Sequence, residues 1–202
     1  STVYSLEENW IKAHDILEKV KKVISNENKR KLANLKVLTQ KNVVEALVMS
    51  NSSIIVMKEN IKHYIDNSNI KKASQLLIKS WPNFLCFELM ECFMDYKSKN
   101  SKDCLMRYKL ISRSFKKFIN YGGNETKLSL AFACYKSSLW GEAQNFLDKI
   151  SIDNWDLRVL ELYNKLSVES NKIKFKDHDT NLIPSPLWTC IECKAEFQKW
   201  RY

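Results

Sequence analysis

Cys190 and Cys193, in the closing stretch "WTCIECKAEFQKWRY", are the residues whose types and spacing come nearest to a recognisable chemistry. Two thiolates on one tight turn can both reach a tetrahedral metal, and a structural zinc site closes when a second such turn brings two more ligands. Only one Cys-x-x-Cys pair occurs. Glu192, Glu196 and His178 stand nearby in sequence, but a lone histidine in a polar stretch reads first as a solvated side chain. A redox dithiol needs the pair at a helix N-terminus in a βαβ setting, and no strand pattern of that kind surrounds it. Two readings stay open. Cys190 and Cys193 are either free thiols or half of a zinc site, so no cofactor is expected within these 202 residues and zinc enters only with further ligands from a longer protein.

Charge is the second candidate for chemistry. The chain carries a net +10, and between positions 97 and 117 eight basic residues stand against one acid, Asp103, so that eight minus one places +7 in this stretch. On a helix starting near Lys102, the side chains of Lys102, Lys109, Arg113, Lys116 and Lys117 share one face, and Cys104, Tyr108, Ile111, Phe115 and Phe118 share the opposite one. Such a face is solvated, or it attracts an anionic membrane surface, an acidic protein partner or nucleic acid. Nucleic acid is the least supported, because no binding motif is present and aromatics at helical spacing read as core.

Catalytic constellations are not expected. His14 beside the first apolar stripe and His63 in "ENIKHYID" read as half-buried surface residues with no nucleophile motif nearby. "YGGN" at 121–124 is too short for a phosphate loop and follows a helical run, so a glycine helix stop accounts for it. The reading is of a protein that is not an enzyme.

The elements that must position these residues are helices. With 45% hydrophobic and 28% charged residues the chain can bury a core, and three glycines and three prolines leave little material for tight hairpins. A soluble, all-α chain is expected. No run of about 18 apolar residues occurs and the N-terminus has no export-signal pattern. The cysteines at 86, 92, 104 and 134 lie in apolar stretches and read as small core residues of a reducing compartment.

One apolar pattern occurs three times: Trp10, Ala13, Ile16, Leu17, Val20; Ile70, Ala73, Leu76, Leu77, Ser80; and Trp140, Ala143, Phe146, Leu147, Ile150. Steps of three, three, one and three place these positions on one helix face, with a small alanine where a neighbouring backbone comes close. The starts are 60 and 70 residues apart, about two helix-pair units each, and a degraded copy lies around Cys104, Tyr108 and Ile111. This predicts an α-solenoid of antiparallel helix pairs, with partner helices over 31–49, 84–97 and 125–139. Breaks are expected at "SNEN" (25–28), "SNSS" (50–53), "DNSN" (66–69), "WPN" (81–83) and "NYGGN" (120–124). A last helix over 154–169 closes a repeat domain at 1–171, followed by a Pro-containing linker at 172–187 and an irregular tail at 188–202.

The opening "NWIKAHDILEKVKK", "IKKASQLLIKSWPN", "CLMRYKLISRSF", "ETKLSLAFACYKSSLWGEAQNFLDKI" and the spaced tryptophans of the tail occur in an order that resembles the C-terminal, tetratricopeptide-like (TPR) part of the HemY family. The resemblance implies a non-catalytic scaffold that binds another protein. It also implies a bacterial inner-membrane protein associated with haem biosynthesis or envelope assembly, anchored by transmembrane helices before Ser1, with this domain on the cytoplasmic side. A rubredoxin-like tail of related TPR membrane proteins has a second Cys-x-x-Cys about ten residues on, which makes Cys190 and Cys193 the start of a zinc ribbon. No Cys-Pro or Cys-x-x-Cys-His haem motif is present.

Overall fold

The computed structural model describes residues 10–19, 25–39, 43–49, 53–170, 182, 188–189 and 196–197. Its helices are α1 (Trp10–Lys19), α2 (Asn26–Leu38), α3 (Val43–Met49), α4 (Ile54–Asp66), α5 (Ile70–Phe84), α6 (Phe87–Asp95), α7 (Ser101–Lys136), α8 (Trp140–Leu147) and α9 (Leu157–Ser170), with a 3-10 turn at Ile152–Asn154. The described chain is thus helical, save for β1 (Trp188–Thr189) and β2 (Glu196–Phe197) in the tail expected to be irregular. These two pair antiparallel, Trp188 opposite Phe197 and Thr189 opposite Glu196.

Short polar side chains set where the helices begin, by occupying backbone N–H groups that have no partner within the helix. Ser25 accepts from Asn28 N at 3.3 Å, Ser53 from Val56 N at 3.5 Å, Asn69 from Lys72 N at 3.2 Å and Asn100 from Asp103 N at 3.0 Å. The three copies of the apolar pattern begin at the first residues of α1, α5 and α8. Their alanines, Ala13, Ala73 and Ala143, are all fully buried, whereas Ile16 and Trp140 are more than a third exposed. The pattern therefore marks the helix starts and the close-packed position, and the buried face is narrower than the pattern.

The loops before α5 and α8 repeat as well. Asn67 N bonds to His63 O, Ser68 N to Ile65 O and Asn69 N to Tyr64 O; seventy positions on, Ser137 N bonds to Ala133 O, Ser138 N to Tyr135 O and Leu139 N to Cys134 O. Ser68 and Ser138 both take the left-handed conformation that closes a helix with this bonding pattern.

Several expected boundaries move: at "SNEN" only Ser25 stays outside α2, which begins at Asn26, and the last helix begins at Leu157 instead of 154. The partner helix expected over 31–49 is two helices, α2 and α3, because Thr39 turns its hydroxyl back onto Leu35 O at 2.8 Å and closes α2. The break expected at "WPN" falls later: α5 continues through Pro82 to Phe84 and stops at Leu85, which is left-handed at φ 43°. Pro82 lacks the N–H that would bond to the carbonyl four residues back, and the burial of the adjacent Trp81 holds the turn in place despite that loss. The glycine stop at "NYGGN" is a kink: Gly123 at φ 55°, ψ −145° separates two limbs of α7, 101–122 and 124–136.

Packing follows chain order. α1 lies on α2, α2 on α3 and α4, α4 on α5 and α6, α5 on α6 and α7, α6 on α7, and α7 on α8 and α9. The main apolar cluster runs from Met57 to Leu166, and a smaller one joins Ala33, Val37, Ala46 and Val56. Trp81, Leu77 and Phe115 are fully buried, each contributing about 1.5–3 kcal/mol. Trp81 and Phe115 rings pack 4.7 Å apart, fixing α5 on the first limb of α7. At the far end, Arg158 of α9 binds both Asp156 and Glu125, and Glu125 also accepts Phe87 N at 3.2 Å. One carboxylate so ties α6, α7 and α9.

Candidate functional site

The first limb of α7 separates apolar and basic side chains as the sequence predicts. Cys104, Tyr108, Ile111 and Phe115 are buried, Phe118 of the expected apolar face is only half-buried, and Lys102, Lys109, Arg113, Lys116 and Lys117 are all exposed. At 1.5 Å per residue, the stretch from 102 to 117 is about 22 Å long. Among the described residues none of these five cations forms a salt bridge. Other cations do: Lys58 reaches Glu88 at 3.5 Å, Lys136 reaches Asp95 at 2.8 Å, and Lys97 reaches Asp66 at 2.5 Å. Lys97 and Asp66 hold each other's charge, their shared hydrogen bond lowering the carboxyl pKa and raising the ammonium pKa.

Two residues of this limb were not singled out in the sequence. Arg107 belongs to the basic run by count, yet it is only 1% exposed. Its guanidinium donates to Phe93 O at 2.7 Å, Tyr96 O at 2.9 Å and Asp103 at 3.2 Å, so it closes the turn after α6 instead of facing outward. The signal was Asp103, an acid one helical turn before it. Met106 is 47% exposed and stands between Lys102 and Lys109 on the basic face.

A cleft of about 370 Å³ lies where the turn before α7 meets the ends of α7 and α9 and the start of α8. Lys99, Tyr135, Lys136, Trp140 and Glu169 line it. Lys136 is engaged with Asp95, whose carboxylate raises the ammonium pKa against the opposing effect of burial.

The buried thiols have the opposite of nucleophilic character. Burial pushes Cys86 and Cys92 up to about 11 and Cys134 up to about 12. Cys134 lies 3.9 Å from a Glu142 oxygen that also accepts the Tyr108 hydroxyl at 3.0 Å, and burial together with these neighbours raises the phenol pKa. His14, expected half-buried, is 1% exposed beside Asp15, and half-buried His63 bonds to Asn67 at 3.2 Å. The glycine pair shapes backbone: a Cβ on Gly122 would lie 1.9 Å from Thr126 Oγ1, and Gly123 makes the kink.

Among the described residues no three His, Cys, Asp or Glu side chains gather at metal-binding distance. Cys190, Cys193, Glu192 and His178 lie outside the described residues, and Glu196 pairs with Thr189 in the β1–β2 ladder. No helix among the described residues is long and apolar enough to cross a membrane. No protein-family model matches the sequence, and no curated protein is significantly similar to it.

Proposed function

We propose that this chain is a non-catalytic scaffold: an α-solenoid of antiparallel, TPR-like helix pairs that presents its surface to another protein, as the helical-repeat part of a HemY-like inner-membrane protein. The observation that carries this reading is the seventy-residue repetition of α5 and α8. Both helices follow a serine in the left-handed conformation and the same three backbone hydrogen bonds, and both bury an alanine three residues after their first residue. Chain-order packing accompanies it, and stacked helix pairs of this kind serve as extended binding surfaces. The family reading, and with it a role in haem biosynthesis or envelope assembly, is supported by the ordered motifs in the sequence.

The test is photocrosslinking in cells from a reactive amino acid placed in turn at exposed positions of α4 through α9. Adducts with one protein, confined to positions that form a continuous surface, are expected. Adducts at no position, or at every position alike, would remove the scaffold reading. Haem itself is not the expected ligand. A Soret shift saturating at one equivalent on titration would show otherwise.

A further inference from the structure

Resting on the scaffold reading, we propose that the exposed face of the first limb of α7 is the docking surface for an acidic polypeptide segment, whose carboxylates meet Lys102, Lys109, Arg113, Lys116 and Lys117 around an apolar contact at Met106. The five cations and Met106 follow helical periodicity down a single stripe, with no acid on that face among the described residues. Lys109 and Arg113, and Arg113 and Lys117, are like charges four residues apart and repel each other. A partner that supplies carboxylates relieves this repulsion. Met106, unbranched and 47% exposed, adapts to whichever apolar side chain the partner brings.

A polypeptide fits this face better than a membrane or nucleic acid. Of the limb's other large apolar side chains, Ile111 and Phe115 are fully buried, and Leu105, Leu110, Phe118 and Ile119 are half-buried against the core. Little besides Met106 is left to enter an acyl layer, so a membrane would be held by charge alone. The aromatic Tyr108 is 5% exposed and Phe115 fully buried, so neither offers the stacking platform on which single-stranded nucleic acid relies. An amphipathic acidic helix lying along the stripe matches it in length, in charge and in its single apolar contact.

The whole 202-residue chain is titrated against a fluorescent amphipathic peptide of Glu and Leu, of about fifteen residues to match the stripe, at about 0.1 M salt. Vesicles of phosphatidylserine with phosphatidylcholine, and an oligothymidine of similar charge, are measured in parallel. Lys109→Glu with Arg113→Glu is compared with Lys71→Glu with Lys72→Glu, an equal charge change at exposed positions of α5. Circular dichroism checks that both variants fold. The expected result is peptide binding weakened about tenfold or more by the α7 pair and by less than about twofold by the α5 pair, with vesicles and oligothymidine bound more weakly than the peptide. Equal loss in both variants would mean attraction to net charge and would overturn the proposal, as would absent peptide binding. Tighter binding of vesicles or oligothymidine, lost in the α7 variant, would reassign the face to a membrane or to nucleic acid. Failure here with a crosslinked surface found elsewhere leaves the scaffold standing and removes α7 from it.

Discussion

Ser68 and Ser138, seventy positions apart, hold the same left-handed backbone, φ 57° in each, at the turn that leads into α5 and into α8. In both, the serine N–H and that of the next residue bond back into the helix just ended, from Ser68 to Ile65 O and Asn69 to Tyr64 O, and from Ser138 to Tyr135 O and Leu139 to Cys134 O. Glycine usually fills this position, because an L side chain there is crowded by its own carbonyl. Both serines are exposed. Relief of left-handed crowding, about 1–2 kcal/mol, outweighs the extra freedom that glycine gives the unfolded chain, about 0.4–1 kcal/mol, so Ser68→Gly and Ser138→Gly should each stabilise the fold by up to about 1 kcal/mol and add in the double variant. Urea unfolding measures this, and loss of stability in either variant would contradict the equivalence of the two turns.

The kink of α7 rests on a second arrangement. Trp81 Nε1 donates to Thr126 Oγ1 at 3.0 Å, and a Cβ on Gly122 would sit 1.9 Å from that same oxygen. Gly122→Ala must rotate Thr126 away and leave the buried indole N–H unpaired, as Thr126→Val does directly. Each should cost about 1–3 kcal/mol, and the double variant should cost clearly less than the sum, since both remove one hydrogen bond. Strict additivity in a double-mutant cycle would show that the two changes act separately.

The legibility of this fold follows from where side chains dominate backbone. The starts of α1, α5 and α8 could be read because the Trp/Ile-x-x-Ala spacing is one helix face, and in α5 Asn69 caps the first turn. The end of α5 could not, because Pro82 argues for a break while the burial of Trp81 against Phe115, a contact distant in sequence, extends the helix past it. The basic face of α7 was legible for the same periodic reason. Arg107 was not legible as buried, nor Lys97 as paired: their partners, the carbonyls of Phe93 and Tyr96 and the carboxylate of Asp66, are brought near only by the turn between α6 and α7. The charge available to a partner is accordingly smaller than the count of lysines and arginines suggests.

Burial of the helical thiols gives the fold an alkaline limit. An unfolded thiol titrates near 9.0, while burial raises Cys86 and Cys92 to about 11 and Cys134 to about 12. Their folded pKa values are raised, so the contribution is fully present below about pH 9 and is lost as pH rises through 11 to 12, where the unfolded chain holds fewer protons. Each thiol adds a slope of up to about 1.4 kcal/mol per pH unit. Urea midpoints should fall between pH 8 and pH 10, and Cys86→Ala, Cys92→Ala and Cys134→Ala together should flatten that fall. The raised pKa of Tyr108, together with those of Lys97 and Lys136, leaves a residual slope of the same sign. An unchanged slope in the triple variant would exclude the thiols as its source.

The four buried cysteines, these three and Cys104, make the closing Cys-x-x-Cys measurable on its own. Cys86, Cys92, Cys104 and Cys134 are each at most 9% exposed, so they react with iodoacetamide only as fast as the helices open. Any faster alkylation reports on Cys190 and Cys193. Two thiolates supply half the ligands of a structural zinc site, so this chain should show two rapidly modified thiols and less than one equivalent of zinc by elemental analysis, with the rapid phase unchanged by a chelator. In a chain extended to include a second Cys-x-x-Cys, one equivalent of zinc should bind and slow that phase until a chelator removes the metal. Stoichiometric zinc in the 202-residue chain, abolished by Cys190→Ser, would instead mean that the pair finds its remaining ligands within this sequence.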